Sequence, residues 1–234
     1  MRRRSPAVFF VLAIIGLAAF VAVDRTVPRQ HLTWRSLDIE APTGFATNAQ
    51  MLRLSLAPSK TCMKLADQAL TFSSTQADPK DGKDVCGWTI ARDVLGSDHG
   101  LLSRQTVMQC PLAVGTYIWV REIDGLARKH LGSPLKTIHH YGSYACRRQN
   151  GNSSNEWSEH AFANAWDIAG FELEDGSRIS VLDHWSKGNR KQRKFLRGVR
   201  DEACKIFRVT LGPDYNAAHK NHFHVDMGPW GSCS

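Results

Sequence analysis

The feature that most constrains this chain is its N-terminus. Met1-Arg2-Arg3-Arg4 precedes an uncharged apolar run from Ala7 to Val23, which Asp24 and Arg25 end. Basic residues followed by a hydrophobic segment describe a secretory signal or a short membrane anchor. The run is long for a signal core and just sufficient to span a bilayer with mild tilt. Val21-Ala22-Val23 is the one weak cleavage candidate, so an uncleaved anchor is expected, with the arginines held inside. Residues 1–6 then form a cytoplasmic basic region and 7–23 a signal peptide or transmembrane anchor. The remainder is exported to the periplasm, anchored to the inner membrane through this segment or released.

Export changes how the cysteines read. Cys62, Cys86, Cys110, Cys146, Cys204 and Cys233 include no C-x-x-C pair, which argues against a zinc ribbon or a thioredoxin-type site. An even number in an oxidising compartment favours three structural disulfides. The pairing expected is Cys62 with Cys86, Cys110 with Cys146 and Cys204 with Cys233, although the sequence leaves other pairings open. The 234 residues are 42% hydrophobic and 22% charged, enough to bury one good core. A formal charge of +8 suits nucleic acid, an anionic membrane surface or an acidic wall polymer. No arginine-rich tail or basic-aromatic module accompanies it, and the export segment argues further against a nucleic-acid partner.

Residues 24–55 mix Pro28, Pro42, Thr43 and Gly44 with scattered polar residues, and read as a linker. A domain follows over 56–234. Helical spacing runs from Ser59 to Phe72, turn chemistry from Ala77 to Gly82, and a short strand over Cys86–Ile90. A second helix spans Pro111–His130, stopped by Gly132 and Pro134. Strands are expected at Ile138–Ala145, Trp166–Phe171 and Arg178–Leu182. A basic amphipathic helix spans Lys187–Phe207, with Phe195, Leu196, Val199, Ala203 and Ile206 as its apolar stripe. A last strand covers Asn221–Met227. The order indicates an α+β fold, helices packed on a small antiparallel sheet.

Two stretches carry the chemistry. One is Ser158-Glu159-His160-Ala161-Phe162-Ala163-Asn164-Ala165-Trp166-Asp167, and the other is His222-Phe223-His224-Val225-Asp226. Side chains at i, i+2 and i+4 of a strand share one face, so His222, His224 and Asp226 should point together. His160, Asp167 and His224 supply neutral imidazole and carboxylate, which suit Zn2+ with an open fourth position. His222 then stands free beside the metal, to move a proton or steady an oxyanion. Asp226 or His219 is placed to hold an imidazole's second nitrogen.

These residues resemble a known group. Ser158, His160, Ala165 and Asp167 fit the S-x-H-x-x-G-x-A-x-D pattern of the LAS zinc metallopeptidases, the group of D-Ala-D-Ala peptidases and the hedgehog amino-terminal domain; His222-Phe223-His224 fits their H-x-H. A fuller resemblance is to the bacterial extensin-like C-terminal domain family. It is carried by Gly142-Ser143-Tyr144-Ala145-Cys146-Arg147, Ser158-Glu159-His160-Ala161, Asp167-Ile168-Ala169-Gly170-Phe171 and Leu211-Gly212-Pro213-Asp214-Tyr215-Asn216, and covers roughly Cys62 to Cys233. The resemblance implies a LAS/hedgehog-like fold and zinc on His160, Asp167 and His224. It implies catalysis by His222, and Arg147 contacting substrate or oxyanion, with Arg148 the neighbouring candidate. Two positions depart from the patterns. Ala163 stands where the motif has glycine, at a backbone position that would want positive φ. Asn221 stands where the D-Ala-D-Ala branch has its catalytic glutamate, which leaves the proton work to His222, with Glu159 an outside candidate.

The function expected is zinc-dependent hydrolysis of an amide in peptidoglycan stem peptides or cross-links. The rival is a non-catalytic module of the same fold that grips peptidoglycan or a protein. His139, His140 and His184 read as structural. Trp157, Trp166 and Trp185 read as core or cover before substrate groove.

Overall fold

In the computed structural model, residues 6–57, 59–69, 74–77, 85–149 and 156–234 are described. The expected turn at 78–82 and the last turn of the first domain helix, with Leu70 and Phe72, lie outside them. The apolar run forms α1 (Pro6–Thr26), whose stretch Ala7–Thr26 is long and apolar enough to cross a membrane. Its large side chains, such as Phe9, Phe10 and Leu17, are exposed.

The expected linker is folded instead. It contains α2 (Thr47–Leu56) and buries Leu32, Ile39, Ala46, Met51 and Leu54. Before α2 it crosses the domain as an irregular strap without a period; α2 itself buries Thr47, Gln50, Met51 and Leu54, a helical spacing that polar residues half fill. Polar contacts fix its path. Arg121 donates to the Ile39 carbonyl and, at 2.6 Å, to that of Ala41. Thr43 Oγ1 donates to Glu202 at 2.6 Å, and Asn48 Nδ2 to the Phe207 carbonyl at 2.6 Å.

The domain continues with α3 (Ser59–Ala69), β1 (Ser74–Ala77), β2 (Ala91–Ser97), β3 (Gly100–Gln109), α4 (Cys110–Leu131), β4 (Leu135–Gly142) and β5 (Ala165–Leu173). It ends with β6 (Arg178–Ser180), α5 (Val181–Lys187), α6 (Arg190–Ile206), β7 (Val209–Leu211), β8 (Phe223–Asp226) and β9 (Ser232–Cys233). The described strands make one sheet in the order β1-β2-β3-β4-β5-β8-β7-β9, and β6 pairs with β5. The sheet is larger than expected, and it is mixed: β3–β4 and β7–β9 are parallel.

Several expected bounds move for identifiable reasons. Cys86–Ile90 is not a strand beyond a bridge at Trp88; pairing begins at Ala91 in a hairpin of β2 and β3. That hairpin escapes pattern reading because β3 has exposed residues over Ser103–Gln105, and Gly96 interrupts the register of β2. The expected strand to Leu182 stops at Ser180, whose hydroxyl accepts from Asp183 N at 3.0 Å and starts α5. The expected helix from Lys187 to Phe207 is broken at Gly188. Asn189 then opens α6 with a capping box closed by Gln192.

The core lies where α4 meets the sheet and α6. Proline at the start of α4 and Gly132, at φ 84°, beyond its end bound it as their chemistry dictates. Trp119 of α4 is fully buried, packs on Trp166 and Phe171 of β5, and donates to the Val199 carbonyl of α6 at 3.0 Å. Burying such an aromatic contributes about 3 kcal/mol. The core thereby fixes β5, the strand that carries the site.

Three disulfides close the fold: Cys62–Cys110, Cys86–Cys146 and Cys204–Cys233. The last is as expected, and the other two exchange partners. The exchange has a local cause. Gly87 N donates to the Ala161 carbonyl at 2.9 Å and Ala145 N to the His160 carbonyl at 3.1 Å. Cys86 and Cys146 are therefore brought together against one turn.

Candidate metal centre

That turn carries His160. It is a short 3-10 segment, Glu159–Phe162, opened by Ser158, whose Oγ accepts from His160 N at 3.3 Å. Ala163 closes it in the left-handed region at φ 54°, and its N–H returns to the His160 carbonyl at 3.2 Å. The position that a motif glycine would fill does take positive φ, and alanine carries it. Asp167 and His224 come from β5 and β8, where they are directly paired, so their side chains stand side by side.

His160 Nε2, an Asp167 carboxylate oxygen and His224 Nδ1 lie within 4.8 Å of one another. His160 Nε2 is 3.2 Å from Asp167 Oδ2 and 3.3 Å from His224 Nδ1. His224 Nδ1 is 2.9 Å from Asp167 Oδ1. Donor atoms ~2.0–2.1 Å from a tetrahedral centre stand ~3.3 Å apart, so the spacing suits zinc.

The outer hydrogen bonds decide the tautomers. The Ser143 carbonyl, 3.1 Å from His160 Nδ1, can only accept, so that nitrogen holds the proton. Asp226 Oδ2, 3.0 Å from His224 Nε2, likewise accepts, so Nε2 holds the proton and donates it. His160 Nε2, His224 Nδ1 and Asp167 then present three electron-pair donors to a common point. Such a cluster calls for a cation, either a proton or a metal ion. Burial lowers the His224 pKa, but hydrogen bonds to Asp167 and Asp226 overcome that and raise it to about 9. Burial likewise raises the Asp167 pKa, and the hydrogen bonds from His160 and His224 outweigh it, holding the carboxyl well below its usual range.

His222 lies half-buried beside the cluster, with Nε2 3.6 Å from Asp167 Oδ1. Its Nδ1 donates to Asn221 Oδ1 at 2.9 Å, so Nε2 faces the site with a free lone pair. Asn221 in turn donates to the Tyr141 hydroxyl at 3.2 Å, and the Tyr141 ring stands edge-on to His222. Burial, aided by neighbouring imidazoles, lowers the His222 pKa despite Asp167. His219 stacks 5.1 Å from His222 and bonds Asn216 Oδ1 at 2.8 Å. It does not hold the second nitrogen of His160 or His224; Asp226 holds that of His224. Burial and then His222 and His224 lower the His219 pKa to about 4.

A cavity of about 370 Å³ opens over His160 and His224, and Arg147, Trp157, Tyr215, His219 and Trp230 line it. Arg147 is exposed on the connector after β4. Arg148 lies over the Trp157 ring at 4.6 Å. Glu159 also borders the cavity, but its Oε2 accepts from Asn164 Nδ2 at 2.6 Å, and burial raises its pKa. Trp166 is core, and Trp185 is covered by Arg197 at 3.3 Å. His140 Nε2 and His139 Nε2 face the Arg104 carbonyl and Glu172, and His184 Nδ1 accepts from Ser180 N, all away from the site.

Sequence reasoning did not single out Tyr141, the Ser143 carbonyl, Asn216 as a partner of His219, or Trp230. Ser143 and Asn216 lay inside the quoted phrases, which was a usable signal. Trp230 carried none.

The chain belongs to the extensin-like family: the family described as Extensin-like protein C-terminus matches residues 60–234. The matched span takes in both site stretches and all three disulfides. No curated protein and no solved structure matches the chain.

Proposed function

We propose that this protein is a zinc-dependent peptidase of LAS type, held in the periplasm by α1, that hydrolyses an amide in peptidoglycan stem peptides or cross-links. One observation carries the reading: three electron-pair donors, on His160, Asp167 and His224, face a common point with the unprotonated Nε2 of His222 beside them. His160 Nε2, Asp167 and His224 Nδ1 would hold the ion. A bound zinc supplies Lewis-acid polarisation of a carbonyl and lowers the pKa of water.

The chain's own residues supply the rest. His222 Nε2 takes the proton of the attacking water and delivers it to the leaving amine, and Asn221 keeps its ring in the required tautomer. Arg147 borders the cavity over His160 and His224 and meets the peptide chain or its terminal carboxylate. Trp157, Tyr215 and Trp230 give the cavity apolar walls that orient a stem peptide. The chain's charge of +8 favours approach to an anionic wall.

The test is a digest of purified muropeptides by the zinc-loaded full chain, beside His222→Ala and metal-stripped controls. The expected result is new products by mass that both controls lose. Intact muropeptides with protein holding one zinc would refute hydrolysis, and muropeptide binding in that case would establish the non-catalytic module.

A further inference from the structure

A second cavity lies apart from the metal centre, beside the exit of α1. It has a volume of about 500 Å³ and is bordered by Trp34, Leu37, Arg53, Leu54, Lys64 and Leu65, among others. Its cations and its position together suggest an occupant. Arg35, Arg53 and Lys64 line it, and no acidic residue does. Arg35 is engaged by Asp24 at 2.7 Å, while Arg53 and Lys64 have no acidic partner among the described residues. Leu37, Leu54 and Leu65 give it an apolar floor. A phosphate with hydrocarbon attached matches that combination.

The position comes from Trp34. Its ring packs 5.3 Å from that of Phe20, inside the apolar run, and its Nε1 donates to Asp24 at 2.8 Å, where the run ends. A tryptophan with one edge on a spanning helix and one on its polar exit marks the level of the bilayer surface. The same residue lines the cavity, which therefore lies at that level. We infer that this cleft binds an anionic phospholipid of the membrane that α1 crosses, its phosphate on Arg53 and Lys64 and its first methylenes on the leucine floor. The site would seat the domain against the membrane at a fixed tilt, with α1 as tether. The inference rests on α1 being retained as an anchor and is independent of the peptidase reading.

The full chain in detergent would be mixed with phosphatidylglycerol or phosphatidylcholine, and bound lipid counted by native mass spectrometry. One retained phosphatidylglycerol is expected, favoured by about tenfold or more over phosphatidylcholine, as two basic contacts to an anionic lipid imply. Arg53→Gln with Lys64→Gln should lower that retention by about tenfold. Lys191→Gln with Lys194→Gln removes the same charge from α6 and should leave it unchanged. Equal loss in both pairs would reduce the effect to bulk charge and overturn the site, as would equal binding of phosphatidylcholine. A mature chain whose intact mass lacks α1 would overturn it as well. Muropeptide hydrolysis, measured separately, is unaffected by any of these outcomes.

Discussion

Asp226 lies 3.0 Å from His224 Nε2, and this contact turns His224 Nδ1 toward Asp167, 2.9 Å away. The carboxylate is thus an orienting group: it fixes which nitrogen of His224 faces His160 and Asp167, the one that would hold the proposed metal. Asp226 also accepts from Gly228 N at 2.8 Å, so its removal disturbs the loop behind the ligand. Asp226→Asn preserves the shape and one acceptor, and should weaken zinc affinity by about tenfold; Asp226→Ala should weaken it by up to about a hundredfold. Competition with a chromogenic chelator measures both.

Asn221 does for His222 what Asp226 does for His224. Its Oδ1 holds the Nδ1 proton at 2.9 Å, and Tyr141 steadies the amide from the other side at 3.2 Å. In Asn221→Ala the His222 ring is free to change tautomer and turn. We expect kcat on a muropeptide to fall about tenfold with KM nearly unchanged. His222→Ala should cost more, about 10²–10⁴-fold, as loss of the proposed acid–base group itself. A larger effect on KM than on kcat would assign Asn221 to substrate binding.

The gathering of His160, Asp167 and His224 at the candidate site was legible in the sequence because each lies in a short local pattern. The spacing from Ser158 to Asp167 describes one turn feeding one strand, and His222 to Asp226 describes one strand face. What joins them was not legible, because it depends on distant neighbours. Cys86 and Cys146 pair because the residues beside them, far apart in the sequence, both hydrogen-bond the His160 turn. No spacing rule encodes that. The irregular strap from Leu32 to Ala46 was invisible for a related reason. It is held by side chains reaching backbone carbonyls, as Arg121 does at Ala41, and that arrangement has no period. The long helix through Trp119 was readable because its apolar stripe is regular and its ends carry proline and glycine. Its partners on β5 and α6 appeared only with the fold.

Ala163 tests how much a motif glycine matters. Its φ of 54° costs an L-residue about 1–2 kcal/mol relative to glycine. Against that, its fully buried methyl contributes about 0.8 kcal/mol and restricts the unfolded chain by a further 0.4–1 kcal/mol or so. The terms nearly cancel. Ala163→Gly should therefore leave stability within about 1 kcal/mol of the parent chain, read as a urea midpoint, and should leave zinc affinity unchanged. Ala163→Val should destabilise clearly, since a β-branched residue fits the left-handed region poorly.

Tyr117 gives the strap a pH dependence. Its hydroxyl donates to Glu40 Oε1 at 2.8 Å, and it joins α4 to residues 24–55. Burial first, and then the Glu40 carboxylate, push the phenol up to about 12 from an ordinary value near 10. The folded chain thus holds the proton more tightly than the unfolded one. The stability this contributes is complete below about pH 10 and is lost as pH rises through the folded value. Tyr117→Phe removes both the hydrogen bond and the ionisation. The difference in stability between parent and variant should be flat from neutral pH to about 10 and should shrink steadily toward pH 12, as followed by urea unfolding. A difference that stayed constant through that range would mean that Tyr117 ionises at its ordinary value, and that its bond to Glu40 does not tie the strap to α4.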